Sequence, residues 1–274
     1  MNFSFFFGQG GAGACRGRQM AQKLGGKINP KIDYRDDICI FVKKILQDRL
    51  PLPTHSYLDV NDSPRAYEYI RDHPDTKIGI IADSGIIYKF LKKELKRNDI
   101  YLIKHHHCNF ERWVRPDRPV KTVGIMGSII AFQYPLDKIR RDLKIIGLEL
   151  KYEPDYWAFY KDKREKVVKF YKNIDIQIAW RPKAWSPRFE PFRRPLKLIN
   201  AGSFGIPTVA YPEPSYVDEF DGYYLPALKI DQLIESVKKL KDYPGFYKVI
   251  VDRAIKKSEE YHIDNISKLY LNLK

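Results

Sequence analysis

The sequence predicts an α/β protein built from two successive parallel, doubly wound units. Three observations carry the prediction. Short apolar runs suited to buried strands alternate with amphipathic helical segments along most of the 274 residues, the pattern of a parallel sheet with helices on its faces. The alternation breaks at residues 111–119 (Glu-Arg-Trp-Val-Arg-Pro-Asp-Arg-Pro), where two prolines and several charges mark a linker. Each half then opens with an apolar strand and a glycine turn. The expected units are residues 1–115 and 116–274, two Rossmann-like domains facing a cleft, with the last helix packing back on the first.

The elements follow in order. Residues 2–7 (Asn-Phe-Ser-Phe-Phe-Phe) read as a buried strand rather than a secretion leader, because the run is short, lacks a basic start and ends in glycines. A glycine-rich loop and a helix over 17–24 come next. Residues 37–42 form a second strand with Lys43 and Lys44 at its end. Ser63 before Pro64 is a cap followed by a first-turn proline, which sets a helix over 64–72. The apolar run 77–82 suits a buried strand, 86–96 a helix and 100–104 another strand. Beyond the linker, strands 121–126, 147–151, 175–179 and 207–210 alternate with helices 136–144, 163–172 and 195–203. Helices 231–241 and 247–261 close the chain.

The formal charge of +15 points to an acidic partner or to a lysine-rich solvated surface. The charge is uneven: residues 161–197 hold twelve Lys or Arg against four Asp or Glu. No run approaches the ~20 apolar residues that span a bilayer. Cys15, Cys39 and Cys108 are odd in number and widely spaced, which argues against a disulfide framework and for a reducing compartment, the cytoplasm.

The run Gly8-Gln-Gly10-Gly11-Ala-Gly13 matches G-x-G-x-x-G between a strand and a helix, where glycines let a backbone approach a phosphate. A dinucleotide enzyme also needs an acid at the end of the second strand. Here Asp33, Asp36 and Asp37 precede that strand and lysines end it, which disfavours a nicotinamide or flavin enzyme.

The stronger signal lies further on. Asp175-Ile-Gln-Ile-Ala-Trp-Arg-Pro, the loop holding Arg193 and Arg194, and Pro195-Leu-Lys-Leu-Ile-Asn-Ala-Gly-Ser-Phe-Gly-Ile-Pro-Thr-Val-Ala together resemble the donor-binding region of GT-B glycosyltransferases, above all the retaining group called glycosyltransferase family 4. The likeness runs from residue 121 to the C-terminus and is looser before it. It implies a metal-independent enzyme that moves a sugar from a nucleotide-sugar co-substrate, a UDP-sugar, to a hydroxyl with retention of configuration, and that uses no other cofactor. The family's helix carries a glutamate that contacts the donor ribose. The matching residue here is Asn200, which can bond a hydroxyl without a carboxylate's charge. Glu190 does not fit the spacing of the family's earlier acid.

Arg181, Lys183, Arg193, Arg194 and Lys197 are the candidate cations for a leaving diphosphate, a preorganised electrostatic role; the resemblance favours Arg194 and Lys197. Gly11, Gly127 and Ser128 are the turns expected beneath it. On the acceptor side, Asp83 ends an apolar strand where a carboxylate points into the cleft and can take a proton; the alternative is a cap for the following helix. Neighbours in the run His105-His106-His107-Cys108 point to opposite sides on an extended chain, so the run does not read as a zinc site. His106 is instead a candidate at the cleft. Arg16, Arg18, Lys183 and Trp185 are candidate acceptor contacts. The charge, with Trp185, Phe189 and Phe192 among arginines, places DNA with hydroxymethylated bases, the substrate of some viral enzymes, ahead of an anionic membrane or glycan as acceptor. A nucleic-acid-binding protein on a transferase scaffold is the alternative outside enzymology.

Overall fold

A computed structural model of the chain describes residues 2–127, 135–154, 164–182 and 187–273. Strands β1 (Phe3–Phe6), β2 (Lys27–Ile28), β3 (Ile38–Val42), β4 (Ser56–Asp59), β5 (Gly79–Ala82) and β6 (Ile100–Leu102) form one parallel sheet in the order β2-β1-β3-β4-β5-β6. Strands β7 (Thr122–Met126), β8 (Glu149–Glu153), β9 (Ile176–Ala179), β10 (Thr208–Ala210) and β11 (Leu225–Pro226) form a second, in the order β11-β10-β9-β7-β8. In each sheet the strand order reverses beside the first strand, at β1/β3 and at β7/β9. Open α/β sheets bind their ligands beyond the carboxyl ends of the strands at such switch points.

The helices cover both faces of each sheet. They are α1 (Met20–Leu24), α2 (Pro64–Asp72), α3 (Gly85–Leu95), α4 (Leu136–Ile145), α5 (Arg164–Lys172), α6 (Leu196–Ser203), α7 (Pro214–Phe220), α8 (Ile230–Asp242), α9 (Pro244–Glu259) and α10 (Ile263–Tyr270). Phe3, Phe5, Ile40 and Ile81 of the first sheet pack with Met20 of α1 and with Ile263, Ile266 and Tyr270 of α10. The other face packs on Ala66 and Ile70 of α2 and Ile87 and Leu91 of α3. In the second sheet, Val123, Ile125 and Ile178 meet apolar positions of α4 and α8 on one side. Val167 and Tyr171 of α5, and Leu198 and Ile199 of α6, pack on the opposite side. Asp175 fastens the linker to the start of this sheet. Its buried carboxylate accepts from Arg115 Nε at 2.8 Å and from the Lys121 and Thr122 amides at 2.9 Å each.

Most predicted elements are present with shifted ends, and Ser63 caps α2 as expected, accepting from the Ala66 amide at 3.3 Å. Three departures have physical causes. The first helix does not wait for residue 17: the chain is helical from residue 11, with Gly13–Gln19 wound as a π-helix. Gly17 lets this helix lie directly on the strand end, since a Cβ there would fall 2.2 Å from the Phe7 ring. Strand β4 hides in a run that carries Ser56 and Asp59, both buried. Helices α7 and α10 are short, seven and eight residues, too brief for a clear helical period. All three cysteines are buried thiols outside any disulfide among the described residues, and burial pushes the Cys39 thiol up to about 12. Among the described residues, no helix is long and apolar enough to cross a membrane.

Candidate active site

The carboxyl ends of the two sheets carry a dense set of charged side chains. In the first sheet, Asp59 pairs in register with Ile81. Side chains alternate along a strand, so Asp59 and Asp83 continue the apolar face of Ile81, the face covered by α1 and α10. Polar groups at the end of an apolar face need partners. Arg16 of the π-wound turn supplies one: its Nε donates to Asp59 at 2.7 Å and its Nη1 to the Lys104 carbonyl at 2.8 Å. Arg16 and Asp59 are fully buried, and the Arg16 guanidinium lies 5.8 Å over the Tyr270 ring of α10. Arg16 is therefore not an acceptor contact at the cleft mouth, as the sequence suggested, but the counter-ion of a buried carboxylate. Arg18, one step round the turn, is exposed.

Asp83 follows β5 and is nearly inaccessible. The helix cap weighed as its alternative role belongs to Ser84, whose Oγ accepts from the Ile87 amide at 3.4 Å. Asp83 Oδ2 instead accepts from Arg194 Nη1 at 2.9 Å, and Arg194 Nη2 lies 3.1 Å from Asp62 Oδ2. Asp62 is also paired with Lys43. Burial pushes the Asp83 carboxyl up to about 6 against the opposing pull of Arg194 and Arg16. Burial alone would raise Asp62 too, but the Arg194 and Lys43 cations outweigh it and bring Asp62 down to about 2. Among the described residues, Asp83 Oδ1, Asp59 Oδ1, Arg16 Nη2, the Tyr270 hydroxyl and both amide atoms of Asn61 are buried without a hydrogen-bond partner. Sequence reasoning missed Asp59, Asn61 and Asp62 with β4. The signal available was Asp-Val-Asn-Asp directly before the Ser63–Pro64 cap.

In the second sheet, β7 is followed by Gly127, whose φ of +132° equals that of Gly10 after β1. A side chain would be strained in that conformation. The Gly127 amide donates to Glu153 O at 2.9 Å and its carbonyl accepts from Tyr152 Oη at 3.1 Å. Its amide is therefore already engaged within the sheet. Lys197 in the first turn of α6 donates to the Met126 carbonyl beside it. Burial, with Arg181 nearby, pushes the Lys197 ammonium down to about 7. Arg181 and Arg193 both turn onto Glu213, a fully buried acid that the sequence reading left without a role. Gly11 lies in the first turn of the helix after β1, where amides lack intrahelical acceptors. Ser128, Lys183 and Trp185 lie outside the described residues.

Three other expectations are corrected. Asn200, expected as a ribose contact, is buried, and its Oδ1 is taken by the Cys108 amide at 2.9 Å. His106 is sealed in a small cavity lined by Cys15, Gln19, Leu196 and Asn200. Its Nε2 lies 3.0 Å from Gln19 Oε1, and burial, with Arg16 close by, holds its pKa well below the usual histidine value. A neutral, enclosed imidazole of this kind is a packing residue, not a proton-transfer group at a cleft. Phe192 is not offered for stacking: it packs in the core of the first sheet against Tyr67 and Phe90. Among the described residues, no group of three His, Cys, Asp or Glu side chains could hold a metal ion.

No protein-family model and no curated protein matches the sequence. The fold does match solved structures. A TarM variant from S. aureus, solved with fondaparinux, alpha-GlcNAc-glycerol and UDP, aligns with TM-score 0.57 and 13% identity over 86% of this chain, which spans 55% of its length. Alr3699/HepE from Anabaena, solved with UDP and glucose, aligns with TM-score 0.60 and 8% identity over 99% of this chain and 98% of its own. A glycosyltransferase from Rickettsia africae ESF-5 aligns with TM-score 0.56 and 10% identity over 98% and 96%. The chain has the GT-B fold, two parallel α/β sheets with their carboxyl edges turned to one site.

Proposed function

We propose that the chain is a glycosyltransferase that moves a sugar from a nucleotide-sugar donor to an acceptor hydroxyl. The observation that carries the reading is the meeting of Arg194 and Asp83, a cation before α6 and a raised-pKa carboxylate after β5, where the two sheets of a GT-B fold face each other. The first sheet, with α10 closing it, is the acceptor side and the second is the donor side. The donor diphosphate lies against the first turn of α6, beside the turn at Gly127, with Lys197 and Arg194 as its cations. UDP in the solved TarM and Alr3699/HepE structures supports a UDP-sugar. Asp83 orients the acceptor hydroxyl. As the bond from the sugar to the diphosphate breaks and the bond to the acceptor oxygen forms, the hydroxyl proton passes to Asp83. The cations take the role a metal plays elsewhere, and retention of configuration follows the family 4 resemblance.

The net charge of +15 favours a polyanionic acceptor, DNA with a hydroxymethylated base foremost. Of the residues that first suggested DNA, Arg181, Arg193, Arg194 and Phe192 are engaged inside the protein, and the charge is what supports this part. The test is release of UDP or another nucleotide from a panel of sugar donors. Radiolabelled donors are then offered to hydroxymethylated DNA, plain DNA and lipid extract. Label in hydroxymethylated DNA alone supports the full reading, and label only in lipid removes DNA. No release from any donor, with DNA still bound, would leave a binding protein on a transferase scaffold.

A further inference from the structure

The Arg194 bridge spans the site rather than lying to one side of it. Its guanidinium joins Asp83 and Asp62, which follow two neighbouring strands of the first sheet, yet it belongs to the loop that enters α6. Three residues further on, Lys197 rests on the Met126 carbonyl next to Gly127. Arg194 thus stands three residues before the lysine assigned above to a donor diphosphate, on the same entry into α6.

We propose that Arg194 is a shuttle: without donor it covers the Asp83 carboxylate, and a donor diphosphate draws it away and uncovers Asp83 for the acceptor. The inference rests on the glycosyltransferase reading and adds a coupling between its two halves. Three observations support it. Arg194 keeps some exposure, 15% of its side chain, whereas Asp83 has none, so the mobile partner is the arginine. Asp62 keeps Lys43 when Arg194 leaves, so that carboxylate is not stranded. Asp83 Oδ1 is buried and unpartnered, an acceptor atom ready for a hydroxyl but hemmed by the arginine on its sister oxygen. A guanidinium held by two carboxylates prefers a diphosphate only when the new contacts outweigh the old, so the carboxylates act as competitors of the donor.

The experiment measures UDP binding by titration calorimetry to the full chain and to Asp83→Asn, Asp62→Asn, Arg194→Ala and the two double variants, with thermal melts as the folding check. Arg194→Ala should weaken UDP about tenfold, the size of one charged hydrogen bond. Each carboxamide variant should tighten UDP by roughly three- to tenfold, because the competitor is gone, and neither should tighten it once Arg194 is Ala. Asp62→Asn, at a half-buried position, carries the test if Asp83→Asn fails to fold. Equal tightening with and without Arg194 would mean a general loss of negative charge, and the shuttle falls. No tightening, or UDP binding indifferent to Arg194→Ala, makes Arg194 a fixed bridge, and the shuttle falls while the glycosyltransferase reading stands. A wild-type chain that binds no UDP, GDP or ADP and releases none from sugar donors removes both.

Discussion

The guanidinium of Arg194, in the loop before α6, donates to the Asp83 carboxylate beyond β5 at 2.9 Å and so ties the two sheets together at their carboxyl edges. Neither residue is placed there by its neighbours in sequence, which lie 111 positions apart. The pairing arises because both sheets end their strands toward the same site.

The first prediction concerns pH. As a base, Asp83 acts when ionised, so kcat/KM should rise with pH through about 6 and level off above it. Arg194 favours the carboxylate form; replacing it with Ala should move that midpoint upward. Asp83→Asn should lower the rate by roughly 10²- to 10⁴-fold and abolish the limb. The stability sign is opposite to that of an ordinary paired aspartate. A folded pKa above the unfolded 3.8 gives a contribution present below 3.8 and lost as pH rises through about 6. A rate profile flat from about pH 5 to 8 would take Asp83 out of the base role.

A second prediction follows from Lys197. Its ammonium, lowered to about 7 chiefly by burial, is only partly protonated at neutral pH. A bound diphosphate favours the charged form, so UDP binding near pH 7.5 should take up protons by roughly half an equivalent. Calorimetry in buffers of different ionisation enthalpy reads this directly. Lys197→Ala should weaken UDP and remove the proton uptake. Uptake that persists in the variant would assign it to another group.

Asn200 yields a third. Because its Oδ1 receives the Cys108 amide, Asn200→Ala leaves a buried donor unpaired at the joint between the sheets. The expected cost is about 1–3 kcal/mol of stability, visible as a lower thermal midpoint, with UDP affinity changed by less than about twofold. A large loss of UDP affinity with an unchanged midpoint would restore the ribose contact that the family resemblance implied.

The fold was legible because period and punctuation agreed: apolar runs, the Ser63–Pro64 cap and the proline-broken linker each follow from local chemistry. Strand β4 was illegible for the reason that makes it useful, since it replaces apolar residues with Ser56 and Asp59 whose partners, Pro53 and Arg16, lie elsewhere. In the candidate site, Asp83 and Arg194 were readable singly from a strand end and a motif, but their contact was not. Asn200, Arg16 and His106 misled for a common reason. A polar side chain in a motif looks available in one dimension, and only the fold supplies the buried amide, carboxylate or carboxamide that occupies it. Glu213 is the converse case, a residue within the resemblance that was assigned no role and that two arginines converge on.

The last prediction concerns the segment that carries Arg193 and Arg194. Phe192 sits with its ring centroid 5.5 Å from that of Phe90 and 6.1 Å from that of Tyr67, inside the core of the first sheet, while Arg193 and Arg194 beside it reach Glu213 and Asp83. The aromatic anchor thus fixes where the loop before α6 meets the first sheet. Truncating a buried phenylalanine costs about 3–5 kcal/mol through lost transfer energy and the cavity left behind. Phe192→Ala should therefore lower the thermal midpoint and also reduce kcat/KM, because a misplaced arginine loses far more in rate than in binding. Phe192→Leu keeps much of the apolar volume and should recover most of both. Measuring the two quantities on the same preparations separates the roles: if Phe192→Ala lowers the midpoint yet leaves kcat/KM at the wild-type value below that midpoint, the ring is ordinary core and does not position Arg194.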